Sequence, residues 1–413
     1  MDQLFFGLPM LDICGRNVLY SPYSVQFLDL PTRFDECVDE QKLYSLGLYN
    51  MHSQIAQESV LTLVVSNRCN LACTYCYENA GQPESTGMDK DVAIAALNYI
   101  AEKTTGRLRV LLHGGEPTLE MPIVRAVWQH MNEHYSDRDP IIHLITNGVF
   151  SQEVAKELLD MKISLTISYD GSTEIQGQQR SLSDGRNSAP IVESNIRFFT
   201  GNCAPVQILS IITEETVKKM QDIVRNVAQL GITRLRIEPL ISYGRAKHCP
   251  LTPPDGEEFA DQFLKCMPLA EECGIRLVNS SIMNLVAPQP RYCNCSLGNN
   301  MTVGVDGTVL MCHEVNDANE VERMLRTVGS YDKIRRTFNI LPEKIQQYES
   351  MTCKENNAVC VECFAAPICG GGCPTRNMTV TGVVGTLDDN LCRMRKKILR
   401  GVLTKMYLSR EVG

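Results

Sequence analysis

The stretch Leu61-Thr-Leu-Val-Val-Ser66-Asn-Arg-Cys69-Asn-Leu-Ala-Cys73-Thr-Tyr75-Cys76 joins an apolar, β-branched run to three closely spaced thiols. Such a run reads as a strand buried on both faces, because a half-exposed strand would alternate apolar and polar residues. Further runs of this kind follow at Leu108–His113, Ile141–Thr146, Ile163–Tyr169, Val206–Ile212 and Arg234–Pro239. Helix-period stretches separate them, at Asp89–Lys103, Ile123–His134, Gln152–Met161 and Ile191–Phe199. The most regular has Val217, Met220, Val224, Val227 and Leu230 on one face, with Gly231 where a left-handed cap is wanted. Consecutive βα units build a parallel sheet. Six of them fall short of the eight that close a full barrel, so the expected fold class is α/β, a partial (β/α)6 barrel, with a doubly wound open sheet as the alternative. Barrel chemistry sits in the loops after the strands, and the three thiols occupy the first such loop.

Working outward, the chain has 413 residues, 44% hydrophobic and 21% charged, enough for two or three domains with their own cores. A formal charge of −8 argues against a nucleic-acid partner, and no apolar run is long enough to span a bilayer. The start, Met1-Asp2-Gln3-Leu4, lacks the basic stretch and apolar core of a secretory signal, so a cytoplasmic location is expected. The 18 cysteines are too dilute for a disulfide scaffold, and in a reducing compartment closely spaced thiols point to metal ligands. Nine lie between Cys293 and Cys392. Cys14, Cys37, Cys203, Cys249, Cys266 and Cys273 are scattered singly and read as ordinary thiols.

The organisation expected is a hairpin-and-helix extension over residues 1–59, the partial barrel over 60–249, a helical connector over 250–292 and a cysteine-rich iron-sulfur domain over 293–413. In the extension, Asn17–Leu30 suggests a hairpin around Ser21-Pro22-Tyr23-Ser24, with a short helix near Gln41. From Cys293 onward Gly and Cys dominate with little periodicity, so metal is expected to help fold this part. Asn390–Leu408 reads as an amphipathic helix with Leu391, Met394, Ile398, Val402 and Met406 inward and a solvated basic face that includes Arg393, Arg395, Lys396 and Arg400.

Three thiolates at Cys69, Cys73 and Cys76 suit a 4Fe-4S cluster with one iron left open to a ligand, and their spacing is neither that of a zinc ribbon nor that of a ferredoxin. Here the sequence resembles the radical S-adenosylmethionine (SAM) enzymes, whose motif Cys-x3-Cys-x-aromatic-Cys is matched in full with Tyr75 as the aromatic residue. The family's second strand ends in Gly-Gly-Glu-Pro, and Gly114-Gly115-Glu116-Pro117 follows His113 at that place. The resemblance implies that these residues hold the amino group of the cofactor, the glycines by close backbone approach and Glu116 as an anionic partner. Thr146-Asn147-Gly148 and Ser168-Tyr169-Asp170-Gly171 resemble the family's polar strand-end motifs around the cofactor. It further implies Ser168 against the cofactor carboxylate, Asp170 near the ribose, and Arg180 completing a carboxylate clamp.

The tail, Cys293-Asn-Cys295, Gly307-x4-Cys312, Cys360-x2-Cys363-x5-Cys369-x3-Cys373 and Cys392, resembles the SPASM extension of a subgroup that matures peptides and proteins. In its full form that extension carries two auxiliary 4Fe-4S clusters. Carried over, Cys295, Cys312 and Cys373 serve one, and Cys360, Cys363, Cys369 and Cys392 the other. Either Cys293 completes the first or one iron stays open for substrate, and Cys353 reads as a spare thiol. In sulfatase-maturing relatives the residue after the Gly-x4-Cys cysteine is an Asp proposed as the base, whereas here His313 and Glu314 follow Cys312. A neutral imidazole can accept a proton near pH 7, which makes His313 the candidate base.

The resemblance implies three 4Fe-4S clusters and SAM as cofactors. The cluster passes one electron to the sulfonium, and a 5'-deoxyadenosyl radical abstracts hydrogen from the substrate. A flavodoxin or ferredoxin would be the electron donor. The expected function is peptide maturation, with a precursor peptide crosslinked through a carbon-carbon, carbon-oxygen or thioether bond. The alternatives are formylglycine formation in an anaerobic sulfatase and, from another class, a metal-stabilised binding module without catalysis.

Overall fold

In the computed structural model the six predicted strands lie side by side in chain order, all parallel. The structure describes residues 2–30, 39–49, 58–288, 291–293, 298–315, 323–324, 326–350, 358–382 and 386–410. The barrel strands are β5 (Glu58–Ser66), β6 (Arg107–Gly114), β7 (Ile141–Thr146), β8 (Ser164–Ser168), β9 (Val206–Ile212) and β10 (Arg234–Pro239). Helices α2 (Lys90–Lys103), α3 (Met121–His134), α4 (Gln152–Asp160), α5 (Thr173–Gln179), α6 (Ala189–Gly201) and α7 (Met220–Gln229) connect them. Their starts are written in the sequence: Asp89, Ser151 and Ser172 each accept a backbone N–H of the first turn, filling a donor that the helix itself leaves open.

The strands are not uniformly buried. Along β9, Val206, Ile208, Ser210 and Ile212 are buried, while the alternating Gln207, Leu209 and Ile211 are only half-buried. Alternate residues of a strand point to opposite faces, so the first set lies under the helices and the second lines the barrel lumen. The same alternation puts Arg109 and Leu111 of β6, His143 and Ile145 of β7, and Arg234 and Arg236 of β10 on the lumen side. Val206, Ile208 and Ile212 belong to one large apolar core with Leu108, Val110, Leu144, Val224 and Val227. The lumen therefore stays open to solvent while the helix-facing layer is packed.

Beyond β10 the expected helical connector contains helix α8 (Gly256–Glu272), and the structure adds strands that the local pattern did not show, first a three-residue β11 (Arg276–Val278), parallel to β10. At the other edge, β12 (Asn300–Val303) pairs in parallel with β5, Asn300 opposite Val60 through Val303 opposite Leu63. Strands β13 (Thr308–Leu310), β14 (Thr327–Asp332) and β15 (Thr337–Ile340) continue it antiparallel, making a single sheet of eleven strands. The C-terminal cysteine region thus grows directly from the barrel's first strand.

The N-terminal region is larger than the expected hairpin. Strands β1 (Gln3–Phe5), β2 (Leu8–Ile13), β3 (Arg16–Ser21) and β4 (Gln26–Leu30) form a four-stranded antiparallel meander, with a short helix α1 (Glu40–Ser45) after it. The terminal helix, Asp389–Ser409, buries Leu399, Leu403 and Tyr407 against Leu11, Val18 and Tyr20 of this meander. One expectation for that helix fails: Arg395 is not on the solvated face but 2% exposed, its guanidinium 5.3 Å from the centre of the Tyr292 ring. Among the described residues no helix is long and apolar enough to cross a membrane.

Candidate active site

Three thiols, five strand ends and one buried ion pair meet at the C-terminal mouth of the barrel. Cys73, Leu71 and Leu182 are buried together, with Cys69, Cys76 and Val149 packed against them. The loop is held at several points. Ala72 N donates to Ser181 O (2.9 Å) and Thr74 N to Gln179 O (2.9 Å), which fixes it to the end of α5. Arg245, just after β10, donates its guanidinium to Cys73 O (2.8 Å) and Ala80 O (2.7 Å), and its backbone N–H to Cys76 O (2.9 Å).

Gly114 and Gly115 answer to that loop. A side-chain carbon on Gly115 would lie 2.2 Å from Arg68 O, and one on Gly114 2.3 Å from Ser66 O. Their packing lets Gly115 N donate to Ser66 O (2.7 Å) and Glu116 N to Arg68 O (2.8 Å). The Glu116 carboxylate is fully buried and accepts from Thr118 N (3.0 Å), Thr118 Oγ1 (2.7 Å), Thr146 Oγ1 (2.7 Å) and Asn147 N (2.7 Å). It locks the end of β6 to the end of β7, and Pro117 starts the short helical turn that follows. Burial raises the Glu116 pKa, and these hydrogen bonds oppose the rise. Asn147 in turn donates to Asn70 Oδ1 (2.8 Å) and lies 3.6 Å from Cys69 Sγ.

Across the mouth, Asp170 is fully buried after β8 and accepts from the Tyr75 hydroxyl, from Arg180 Nε (3.1 Å) and from Ile211 N (3.1 Å). The Arg180 guanidinium lies 5.0 Å from the centre of the Tyr75 ring. Tyr75 sits between Cys73 and Cys76, so this triad ties the thiol loop to β8, β9 and α5 at once. Ser168 closes β8, 8% exposed. The structure therefore brings Tyr75, Gly114–Pro117, Asn147, Ser168, Asp170 and Arg180 to one place beside the thiols.

A second cluster lies between this mouth and the C-terminal region. Tyr77 hydrogen-bonds His113 Nε2, Tyr77 and Tyr243 rings are 5.5 Å apart, and His313 stands edge-on to His113 at 4.9 Å. Burial and the neighbouring His313 hold His113 well below the ordinary histidine range. His313 is also lowered, by burial and by the arginines Arg376 and Arg236, against the pull of Glu314. Arg376, three residues after Cys373, grips Glu314 through Nη2 (2.9 Å) and Nε (3.3 Å) and reaches Glu238 of β10 at 3.7 Å. Glu238 is 2% exposed and also accepts from Arg236, Ser280 N and Ser280 Oγ. Sequence reasoning passed over Tyr77, Arg245, Glu238 and Arg376, since a contact between distant segments leaves no local pattern. Only Gly244-Arg245, a glycine and a cation in the loop after a barrel strand, carried a readable signal.

The described C-terminal thiols fall into two neighbourhoods. Cys373 is within electrostatic range of Cys312 and Cys293, and Cys369 of Cys363 and Cys392, while Cys360 packs with Cys363. Cys295 and Cys353 lie outside the described residues.

The donor sets fit iron-sulfur clusters. Burial pushes Cys69 up to about 12, with Glu116 and Cys73 adding to it, and Cys73 up to about 11, so without metal these thiols stay protonated. Loading metal must therefore release their protons. Among the described residues no three His, Cys, Asp or Glu side chains converge on a single ion. The cysteines of a cube each take a different iron and need no such convergence. At the tail, burial raises the Cys369 and Cys392 thiols and the buried Arg395 opposes the rise, while its Nε has no hydrogen-bond partner among the described residues.

Residues 63–240 match the family model for the Radical SAM superfamily. These residues form a Radical SAM domain, the kind of domain that binds a 4Fe-4S cluster and S-adenosylmethionine, and a cysteine-rich region follows it. The cysteine-type anaerobic sulfatase-maturating enzyme of Clostridium novyi is 23% identical over 384 residues, 86% of this chain and 98% of that protein. The solved structure of native anSMEcpe with bound AdoMet and Cp18Cys peptide superposes with a TM-score of 0.68 at 18% identity, covering 86% of this chain and 99% of that one. Streptococcus suis SuiB bound to precursor peptide SuiA superposes at 0.58 and 13% identity, covering 95% of this chain and all of that one. At these identities the two superpositions establish the fold, the partial barrel with its C-terminal extension.

Proposed function

We propose that this radical SAM enzyme matures a ribosomally made peptide, removing hydrogen to close an intramolecular carbon-carbon, carbon-oxygen or thioether crosslink. The observation that carries the reading is the position of the two thiol regions. Cys69, Cys73 and Cys76 stand at the barrel mouth, and the Cys312–Cys373 region faces the same mouth across Tyr77, His313 and Arg376. Its likeness to SuiB, solved with a precursor peptide, supports a peptide substrate.

When bound, the cluster and S-adenosylmethionine supply a radical able to take hydrogen from an unactivated C–H bond. The chain's residues bind, orient and exclude water. Cys69, Cys73 and Cys76 would hold the cluster. Gly114, Gly115, Asn147, Ser168 and Arg180 would hold the cofactor, with Asp170 and Tyr75 keeping Arg180 in place. Cys293 or Cys295, with Cys312 and Cys373, would hold a first auxiliary cluster, and Cys360, Cys363, Cys369 and Cys392 a second, three in all. His313, kept neutral by burial, would accept the substrate proton as the peptide is oxidised. A flavodoxin or ferredoxin would deliver the electron.

Formylglycine formation is the second reading, favoured by the end-to-end match to the Clostridium novyi enzyme. The His313-Glu314 pair in place of an aspartate ranks it lower. Anaerobic incubation with SAM, reductant and a short peptide encoded beside the gene tests the choice. Peptide maturation requires 5'-deoxyadenosine together with a product lighter by two hydrogens and inert to hydrazides. A hydrazide-reactive aldehyde on a sulfatase peptide would overturn it.

A further inference from the structure

The lower half of the barrel holds a half-open cavity of about 740 Å³ that the chemistry at the strand ends does not use. Its polar wall comes from the first lumen-facing residues of neighbouring strands: Arg109, His143, Gln207, Arg234 and Arg236. Two of the three arginines are already neutralised. Arg109 donates Nε and Nη2 to Glu58 Oε1 at 3.0 and 2.9 Å, and Arg236 donates Nε to Glu238 Oε1 at 2.8 Å. Arg234 differs, because every charged group acting on it is another arginine, Arg276, Arg109 and Arg236. Partial burial and then those cations lower its pKa, so it is a guanidinium held against repulsion. His143 reports the same field: burial, then Arg109 and Arg234, bring it down to about 4, while its Nε2 pairs with Thr166 Oγ1 at 2.8 Å. A half-open site with one surplus positive charge attracts one anion.

The size and the rest of the lining say what kind of anion. The volume is that of an organic ligand, well beyond a single mineral ion. Val60 and Leu111 add an apolar wall from β5 and β6. Along β6, Arg109 lies four residues below His113, the last side chain before the glycines of the mouth. At ~3.3 Å per residue that is about 13 Å, or about four residues of an extended peptide.

We propose that the lower lumen is a specificity pocket for an acidic side chain of the substrate peptide, about four residues from the residue that reacts, with Arg234 as its ion-pair partner. This rests on the reading of the substrate as a peptide. Arg109 and Arg236, fixed by their own carboxylates, frame the pocket.

The test uses the full-length protein, anaerobically reconstituted, and two capped pentapeptides of four alanines and either one glutamate or one glutamine. Calorimetry should give the glutamate peptide at least a tenfold tighter Kd, since a charge-assisted pair is lost in the other. Arg234→Gln should shrink that preference to about twofold or less without moving the thermal midpoint. The His143 imidazole, followed by NMR, should titrate at higher pH when the glutamate peptide is bound. Equal affinities, no binding by either peptide, a preference untouched by Arg234→Gln, or inorganic phosphate competing as well as the glutamate peptide would each overturn the pocket. S-adenosylmethionine cleavage by the same preparations separates the two readings. Cys69-dependent cleavage without peptide preference removes only the pocket, whereas loss of cleavage removes the proposed function.

Discussion

Replacing Asp170 by Asn tests the linchpin of the barrel mouth with almost no change of shape. The carboxylate has three partners on three elements: the Tyr75 hydroxyl in the thiol loop, Arg180 Nε at the end of α5 and Ile211 N on β9. Asn keeps an acceptor for Ile211 but removes the charge that balances Arg180, whose side chain is 9% exposed. Leaving one member of a buried pair uncompensated costs about 3–5 kcal/mol. Removing only the hydroxyl, in Tyr75→Phe, should cost about 1 kcal/mol. The assay is anaerobic urea unfolding of Asp170→Asn, Arg180→Met and the double variant, with iron counted on each. The pair energy should appear as a coupling of about 2 kcal/mol or more, the double variant being far less damaged than the sum of the singles. Iron at Cys69, Cys73 and Cys76 should fall in the Asp170→Asn protein, because its loop loses an anchor. Additive losses below 1 kcal/mol in each single variant would refute the argument that this ion pair positions the thiols.

Three further perturbations follow from the same geometry. Gly115→Ala places a carbon 2.2 Å from Arg68 O, so the variant should lose about 3 kcal/mol or more in urea unfolding and bind less iron; an unchanged midpoint would contradict the packing. Arg376→Gln strips the cation from Glu314, 12% exposed, and leaves Glu238 with Arg236 alone, and should cost about 3 kcal/mol in the same assay, with Arg376→Lys losing less because the charge stays. His143 has a folded pKa near 4 against an ordinary 6.5, with Arg109 and Arg234 facing it across the lumen. A base lowered on folding contributes stability that is present above pH 6.5 and is lost as the pH falls towards 4, by up to about 3 kcal/mol. His143→Gln should therefore flatten that part of the unfolding curve, and an identical slope in both proteins would count against the buried cationic lumen.

Much of the architecture was legible because the barrel strands are short apolar runs between helices with clear caps such as Asp89, Ser151 and Ser172. The pattern hid what depends on distance. β11 has three residues, too few for any periodicity, and β12 joins β5 from the far end of the chain, where local sequence says nothing of pairing. β1 and β2 were missed because Gly7, Pro9 and Gly15 break the alternation that marks a strand. At the site, motif residues were readable as types at fixed spacing, and the structure gathers them. Their partners were not. Glu116 looked like a group free for a ligand, yet its carboxylate accepts four hydrogen bonds within the chain. Arg395 looked like one cation of a solvated face, but its position on the helix turns it under Gly372 and over Tyr292.

The proposed function rests on one catalytic and two auxiliary clusters, held by cysteines from three regions of the sequence. Iron and acid-labile sulfide in anaerobically reconstituted protein, and in the variant with Cys69, Cys73 and Cys76 all changed to Ala, test it most directly. The account predicts about 12 iron atoms per chain falling to about 8, at four per cluster, with S-adenosylmethionine cleavage abolished. Iron near 4 in the parent with zinc in the remainder would contradict it, making the C-terminal region a structural zinc domain.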